Sequence, residues 1–358
     1  MSKPTFVMVV TDSSSNSIFA NQVVAPLQQL AATGNYQEII IISLEQQQIN
    51  SNKQEELISN NTTPIRLLFR RRPPLIPWLC IWYCKRQLRS IFTTITGTYT
   101  VRCRGAVAAI ITAAAITKQC SGITVQARGL LAEEFWHSAM TKKNAVTFCI
   151  ALLRYYYLLS LEWRGYRCGP VEAVSEALSL YLQQRLGIAP TAITIATYDH
   201  PAAITPATKD AWRTTIRNRL AIDATTPLLV YSGSITAWQE TNLVLQPCIA
   251  WLTKKPTGRV LVLTPQAQEF MQTIEKFVIH DNNVRDAFIC KQVSATEHRQ
   301  YLAAADEALL VREEHIVNWV SRPTKVLEYR AAGLTVLHNN SVDWVIKTVG
   351  RCDQFPTQ

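Results

Sequence analysis

Between Leu57 and Ala132 the chain has no aspartate and no glutamate. Eleven cations stand in that stretch (Arg66, Arg70, Arg71, Arg72, Lys85, Arg86, Arg89, Arg102, Arg104, Lys118 and Arg128), so it supplies the whole formal net charge of +10. Long apolar runs are also missing. The longest weakly polar stretch, Ala106 to Thr117, is too short to span a bilayer and reads as a buried helix. Phe6 to Val10 is only five apolar residues before a polar serine loop, which excludes a secretory signal. The nine cysteines are scattered and odd in number, with no C-x-x-C and no histidine at zinc spacing. That excludes a zinc module and a disulfide framework, and predicts a cytoplasmic protein with no metal site. Cys80 and Cys84, one helical turn apart, read as apolar packing. No period of 20–50 residues recurs, which excludes a solenoid.

What is present suits a globular enzyme-sized chain. With 358 residues, 48% hydrophobic and 17% charged, two full cores can be built. Continuous apolar segments at Phe6–Val10, Glu38–Ile42, Ile65–Phe69, Ile123–Gln126 and Val171–Val174 alternate with helical stretches. A second such set has strands at Leu228–Tyr231, Val260–Leu263, Ala287–Cys290, Ala308–Val311 and Thr335–Leu337. The pattern predicts α/β architecture with parallel sheets covered on both faces. We expect two Rossmann-like domains, 1–200 and 201–340, a hinge at Tyr198–Pro206 and a short tail over 341–358. Glu45–Asn61, rich in Gln, Asn and Ser, is expected to be a loop or a frayed helix.

The most informative segment runs from Ser321 to Gly333, Ser-Arg-Pro-Thr-Lys-Val-Leu-Glu-Tyr-Arg-Ala-Ala-Gly, followed by Leu-Thr-Val-Leu. It reads as loop, short helix and buried strand: Pro323 suits a first turn, and Gly333 suits a left-handed stop. Lys325 and Glu328, three apart, share a helix face. A helix start with a lysine suits phosphate, and a carboxylate one turn on can accept hydrogen bonds from a diol. The plain alternative is a capped surface helix.

With the preceding Leu-Leu-Val-Arg312 and Asn318, this segment resembles the donor-binding segment of bacterial family-4-like glycosyltransferases of the GT-B fold. Four further stretches are similar in the family's order: Phe6–Thr11 with Ser13-Ser-Ser-Asn-Ser, Arg128-Gly129 with Glu133-Glu134, Val174-Ser175, and Val230-Tyr-Ser-Gly233-Ser234. The resemblance implies two Rossmann-like domains facing across a cleft. It implies a nucleotide-sugar donor (UDP- or GDP-sugar), a glycan or lipid-linked acceptor and no required cofactor. By position, Ser321, Thr324 and Lys325 become diphosphate contacts and Glu328 the ribose contact. Lys325 is the first candidate to meet leaving-group charge. Arg312 either touches a phosphate, orients the loop, or pairs with Glu313 or Glu314 at the surface.

The loop at Gly233-Ser234 departs from the family, many of whose members carry a basic residue there; Arg322 either substitutes for that charge or is solvated. On the acceptor side the resemblance points to Ser14, Ser15, Arg128 and Glu134. His137 either reaches the transferred sugar or simply packs beside Trp136.

Residues 70–89 have two readings. Cations interleaved with Trp78, Trp82 and Tyr83 suit an interfacial helix on an anionic membrane surface, at the inner face of the membrane. The other reading is a core helix whose cations line an acceptor groove or are solvated. No nucleic-acid-binding module is present. The reading is a retaining, metal-independent, hexosyltransferase-like enzyme. Its alternative is a GT-B-fold protein without turnover that binds or assembles.

Overall fold

The computed structural model describes all residues except 1–2, 12–18, 47–54, 60–62, 74–76, 141–144, 198–200, 234–240, 279–281 and 353–358. The chain divides into two compact units, Met1–Ala196 and Thr197–Gln358.

The first unit holds strands β1 (Thr5–Val10), β2 (Glu38–Glu45), β3 (Glu55–Ser59), β4 (Ile65–Arg71), β5 (Tyr99–Arg104), β6 (Cys120–Ala127), β7 (Val171–Ala173) and β8 (Ile193–Ile195). Its sheet order is β3-β4-β2-β1-β5-β6-β7-β8. Every pairing is parallel except β3 with β4. The antiparallel β3 corrects the expectation of a loop or frayed helix over Glu45–Asn61 at Glu55–Ser59; residues 47–54 and 60–61 lie outside the described ones. A Gln/Asn/Ser-rich composition hides the short Glu-Glu-Leu-Ile-Ser run that pairs at the sheet edge. All of β1 and nearly all of β2 are buried, as continuous apolar strands covered on both faces must be.

Helices α1 (Ala25–Ala32), α2 (Pro77–Phe92), α3 (Ala106–Ala115), α4 (Leu131–Met140), α5 (Ala145–Gly165) and α6 (Glu176–Leu186) complete this unit. The alanine-rich α3 is buried along most of its length, and α2 and α5 both pack against it. The end of α5 comes so close to the start of α3 that any side chain at Gly165 would meet the Ala106 backbone. α6 is capped at both ends. The Ser175 hydroxyl accepts the Leu178 N–H at 3.0 Å, and Gly187 closes it in the left-handed region at φ 62°.

The second unit holds α7 (Pro206–Arg219), β9 (Leu228–Ser232), α8 (Thr241–Lys254), β10 (Arg259–Leu263), α9 (Ala267–Phe277), α10 (Asn282–Asp286), β11 (Phe288–Lys291), α11 (Ala295–Ala304), β12 (Glu307–Leu310), α12 (Ile316–Trp319), α13 (Lys325–Ala331), β13 (Thr335–His338) and α14 (Asp343–Val349). Its five strands are all parallel, in the order β11-β10-β9-β12-β13. The chain runs outward from β9 through β10 and β11, then returns to β12 on the other side. That reversal makes the carboxyl ends of β9 and β12 a topological switch point, where open α/β sheets bind ligands. At the opposite end, the fully buried Arg217 pairs with Asp306 at 2.9 Å and donates to the Asp223, Thr226 and Ala304 carbonyls. Those bonds offset the cost of burying a guanidinium. In the tail, Val342 and Val345 pack on Leu310 and Val326.

Candidate functional site

Ser232 ends β9, and Arg312 follows β12 by two residues, so both stand at the switch point. Asn339 pins the backbone of Arg312 like an extra rung: its amide donates to the Arg312 carbonyl at 2.6 Å and its oxygen accepts the Arg312 N–H at 3.3 Å. The buried Asn318 donates to the Glu313 carbonyl at 3.0 Å, and the Ser321 hydroxyl donates to the Asn318 carbonyl at 2.7 Å. The loop from 312 to 321 is therefore held by its own polar side chains, which delivers Lys325 to the start of α13.

The charged groups of this rim act on one another. Burial holds the Arg312 guanidinium below its ordinary range, with Tyr231 and Tyr329 pulling the other way. Burial, and then Arg312, bring Lys325 down to about 8. Glu328 is raised by burial, opposed by Lys325 and Arg299. Two cations drawn together in a desolvated rim make a site that favours an anion. α13 has only seven residues, so its dipole adds little and the side chains carry the charge.

The structure thus groups Arg312, Lys325 and Glu328. Arg312 is half-buried. Arg322 lies with its guanidinium 4.8 Å from the centre of the Trp344 ring. Thr324 precedes α13 and makes no side-chain cap bond. The Gly233 N–H donates to the Leu263 carbonyl at 3.0 Å, extending the sheet. Ser234 lies outside the described residues.

Three rim residues stand outside the expected site residues: Ser232 and Tyr329, which lie within the quoted motifs, and His298. Ser232 Oγ lies 2.8 Å from His298 Nε2, His298 Nδ1 lies 3.7 Å from Glu328 Oε2, and the Ser232 N–H donates to the Tyr329 hydroxyl at 3.2 Å. The Glu-Tyr pair in the helix motif was the available signal for Tyr329. Nothing around His298, in a plain amphipathic stretch, marks it.

In the first unit, the switch point lies between β1 and β5. Arg104 and Arg128, at the ends of β5 and β6, both donate to Gln22 Oε1 at 2.8 Å. Arg128 thus stands beside a second guanidinium. Glu134 sits on α4 against Gly129, where a side chain at 129 would strike its carboxylate. Glu133 accepts from the Tyr155 and Tyr181 hydroxyls at 2.9 and 2.8 Å. His137 is half-buried on α4, next to Trp136, which packs on Phe148 and Tyr155. Ser14 and Ser15 lie outside the described residues.

In the basic segment, residues 74–76 and the side chain of Trp78 lie outside the described ones. Arg72 is buried and donates to the Leu44 and Thr11 carbonyls, so it is not a surface cation. Arg71, Arg86 and Arg89 are exposed, and so are Leu79, Trp82 (60%) and Tyr83 on α2. The outer face of α5 repeats the theme, with Phe148, Ile150, Leu153 (74%), Tyr156 and Trp163 exposed beside Arg154 and Arg164. α2 has no acidic residue, and the one on α5, Glu162, is fully buried. No helix among the described residues is long and apolar enough to cross a membrane.

No protein-family model matches the chain, and no curated protein matches it. Solved structures do match. A glycosyltransferase from Rickettsia africae ESF-5 superposes at TM-score 0.64, covering 98% of this chain and 82% of that one, at 13% identity. WaaG, a glycosyltransferase involved in lipopolysaccharide biosynthesis, gives TM-score 0.59 over 96% of this chain and 82% of its own, at 12% identity. HepE from Anabaena, solved in complex with UDP and glucose, gives 0.58 over 95% and 82%, at 11% identity. At such identities the likeness carries the fold: this chain has the GT-B architecture of glycosyltransferases.

Proposed function

We propose that this protein is a glycosyltransferase that moves a sugar from a UDP- or GDP-sugar to a glycan or lipid-linked acceptor. The observation that carries the reading is the trio Arg312, Lys325 and Glu328, gathered at the switch point of a GT-B second unit. Diphosphate departure from an anomeric carbon needs cations fixed where negative charge develops. Lys325 and Arg312 meet that need, and Glu328 accepts the ribose hydroxyls. Ser321 and Thr324 flank the phosphates, and Gly233 and Ser234 are assigned to the donor side. Retention of anomeric configuration, independence of metal and the family-4-like subtype belong to this proposal. Full activity in excess chelator is the expected result for the metal.

In the first unit we assign Arg128 and Glu134, with Ser14 and Ser15, to the acceptor side, and His137 to the transferred sugar. The two outer helix faces, apolar and cationic with no exposed carboxylate, suit an anionic membrane at the inner face, where α2 (overlapping residues 70–89) and α5 would lie on the headgroups.

The test is a thermal-shift screen with UDP, GDP, CDP and ADP, since a ligand of the native state raises the melting temperature by mass action. A rise with UDP or GDP, followed by turnover with the matching sugar donor, is expected. No rise with any diphosphate would refute the reading. A rise without turnover on any acceptor would favour the binding or assembly role instead.

A further inference from the structure

Two neighbouring residues of α13 are tied to one residue at the end of β9. Tyr329 accepts the Ser232 backbone N–H at 3.2 Å. Glu328 reaches the Ser232 side chain through His298, whose ring lies 2.8 Å from Ser232 Oγ and 3.7 Å from Glu328 Oε2. Glu328 also has a competing partner. Lys325 sits three residues earlier on the same face, a spacing that normally draws such a pair together. Among the described residues the carboxylate lies against the His298 ring, which burial and then Lys325 hold toward its neutral form, and it makes no ion pair with Lys325.

That choice has chemical consequences. A glutamate has three rotatable bonds, and binding a diol through both oxygens requires one orientation of its carboxylate. Pairing with Lys325 would also neutralise the cation that a diphosphate needs. His298 comes from α11, whose start is fixed by the Ser294 hydroxyl accepting the Glu297 N–H. It therefore reaches the carboxylate from a different, capped helix, and its ring is held at its other nitrogen by Ser232 Oγ. Arg299, on the same helix, is engaged elsewhere, donating to the Ala202 carbonyl at 2.6 Å.

We propose that His298 is a positioning residue, holding the Glu328 carboxylate in the orientation that receives the ribose diol and keeping it off Lys325. The proposal rests on the glycosyltransferase reading. It makes His298 the determinant of ribose recognition without contact to the ribose.

The experiment is calorimetry on the full chain with UDP or GDP, whichever the thermal screen selects, and with its 2′-deoxy analogue. The readout is the ribose-to-deoxyribose affinity ratio. Wild type should prefer the ribonucleotide by about tenfold or more, the usual weight of a charge-assisted hydrogen bond. His298→Ala should bring the ratio close to that of Glu328→Gln. His298→Gln, whose amide can still bridge Ser232 and Glu328, should recover part of it. A structural loss at His298 would weaken both nucleotides alike and leave the ratio standing. A wild-type ratio in His298→Ala, with the ratio abolished in Glu328→Gln, would therefore overturn the proposal while sparing the ribose contact. A ratio that survives both variants would overturn the ribose assignment and this inference together.

Discussion

Tyr329 reaches from a fully buried position on α13 to accept the backbone N–H of Ser232, the last residue of β9. This one bond joins the motif helix to the central strand of its sheet. Tyr329→Phe keeps the ring and leaves a buried N–H without its acceptor, a cost of about 1–3 kcal/mol. The expected result is a melting temperature several degrees lower, with donor affinity reduced because Glu328 rides on the same turn. Unfolding and binding curves matching wild type would show that the bond positions nothing.

Lys325 carries a pH signature. Its ammonium is brought from the usual 10.5 to about 8 in the folded protein. Between those values the folded state binds fewer protons than the unfolded one, so this group makes stability rise with pH across that window. Anion binding runs the other way: affinity for a nucleoside diphosphate should weaken once the pH climbs past about 8. Lys325→Arg should hold affinity flat to pH 9.5, since a guanidinium stays charged. Lys325→Ala should lower kcat more than it raises KM, because leaving-group charge develops in the transition state. An unchanged kcat with a raised KM would make Lys325 a binding residue only.

The alternation of apolar strands and helices, and the Pro-Thr-Lys-x-x-Glu segment, were legible because they are local. Strand burial shows in composition, and a helix motif keeps its spacing wherever the helix lies. His298 was not legible because it meets Glu328, thirty positions later, only through the return of the chain to β12 beside β9. Arg72 was misread for a related reason. In a run of three arginines nothing local says which one folds back, and it is the pairing of β4 with β2 that turns Arg72 onto the Leu44 carbonyl. The exposed face of α5 was hidden because its helix is apolar nearly all round, so periodicity gives no inside.

Glu162 offers a second titration, in the first unit. It is fully buried and accepts the Leu131 N–H at the start of α4 at 2.6 Å. Burial raises its carboxyl to about 8, against the backbone bonds to Leu131 and Ala132 that pull it down. The folded state therefore binds the extra proton between the ordinary carboxyl range and about 8, and stability should fall as the pH rises through that window. Glu162→Gln keeps an acceptor for Leu131 and removes the titration. The variant should gain on wild type between pH 5 and pH 8, by on the order of 1–3 kcal/mol. Parallel melting curves for the two proteins across that range would mean that Glu162 keeps its ordinary ionisation.

The membrane reading now has a sharper test than the arginine run alone allows. Reversing Arg72 would unfold rather than unbind, because its buried guanidinium holds the Leu44 and Thr11 carbonyls. Arg71, Arg86 and Arg89 are the exposed cations of the same stretch. Changing these three to Glu should abolish flotation with vesicles of anionic lipid, since each cation near such a surface contributes on the order of 1 kcal/mol. Wild-type flotation should itself fade as salt rises and the Debye length shrinks. The apolar side chains make a separable contribution. Trp82→Ala with Leu153→Ala removes one exposed anchor from each of α2 and α5 without touching the core. This pair should weaken flotation at every salt concentration, because burial in the interface does not depend on screening. Nucleotide binding should persist in both variants, since its groups belong to the other unit. If the α2 variant loses flotation and the Leu153→Ala change adds nothing, α5 does not touch the lipid. If the triple Glu variant floats like wild type, the basic surface serves some partner other than a bilayer.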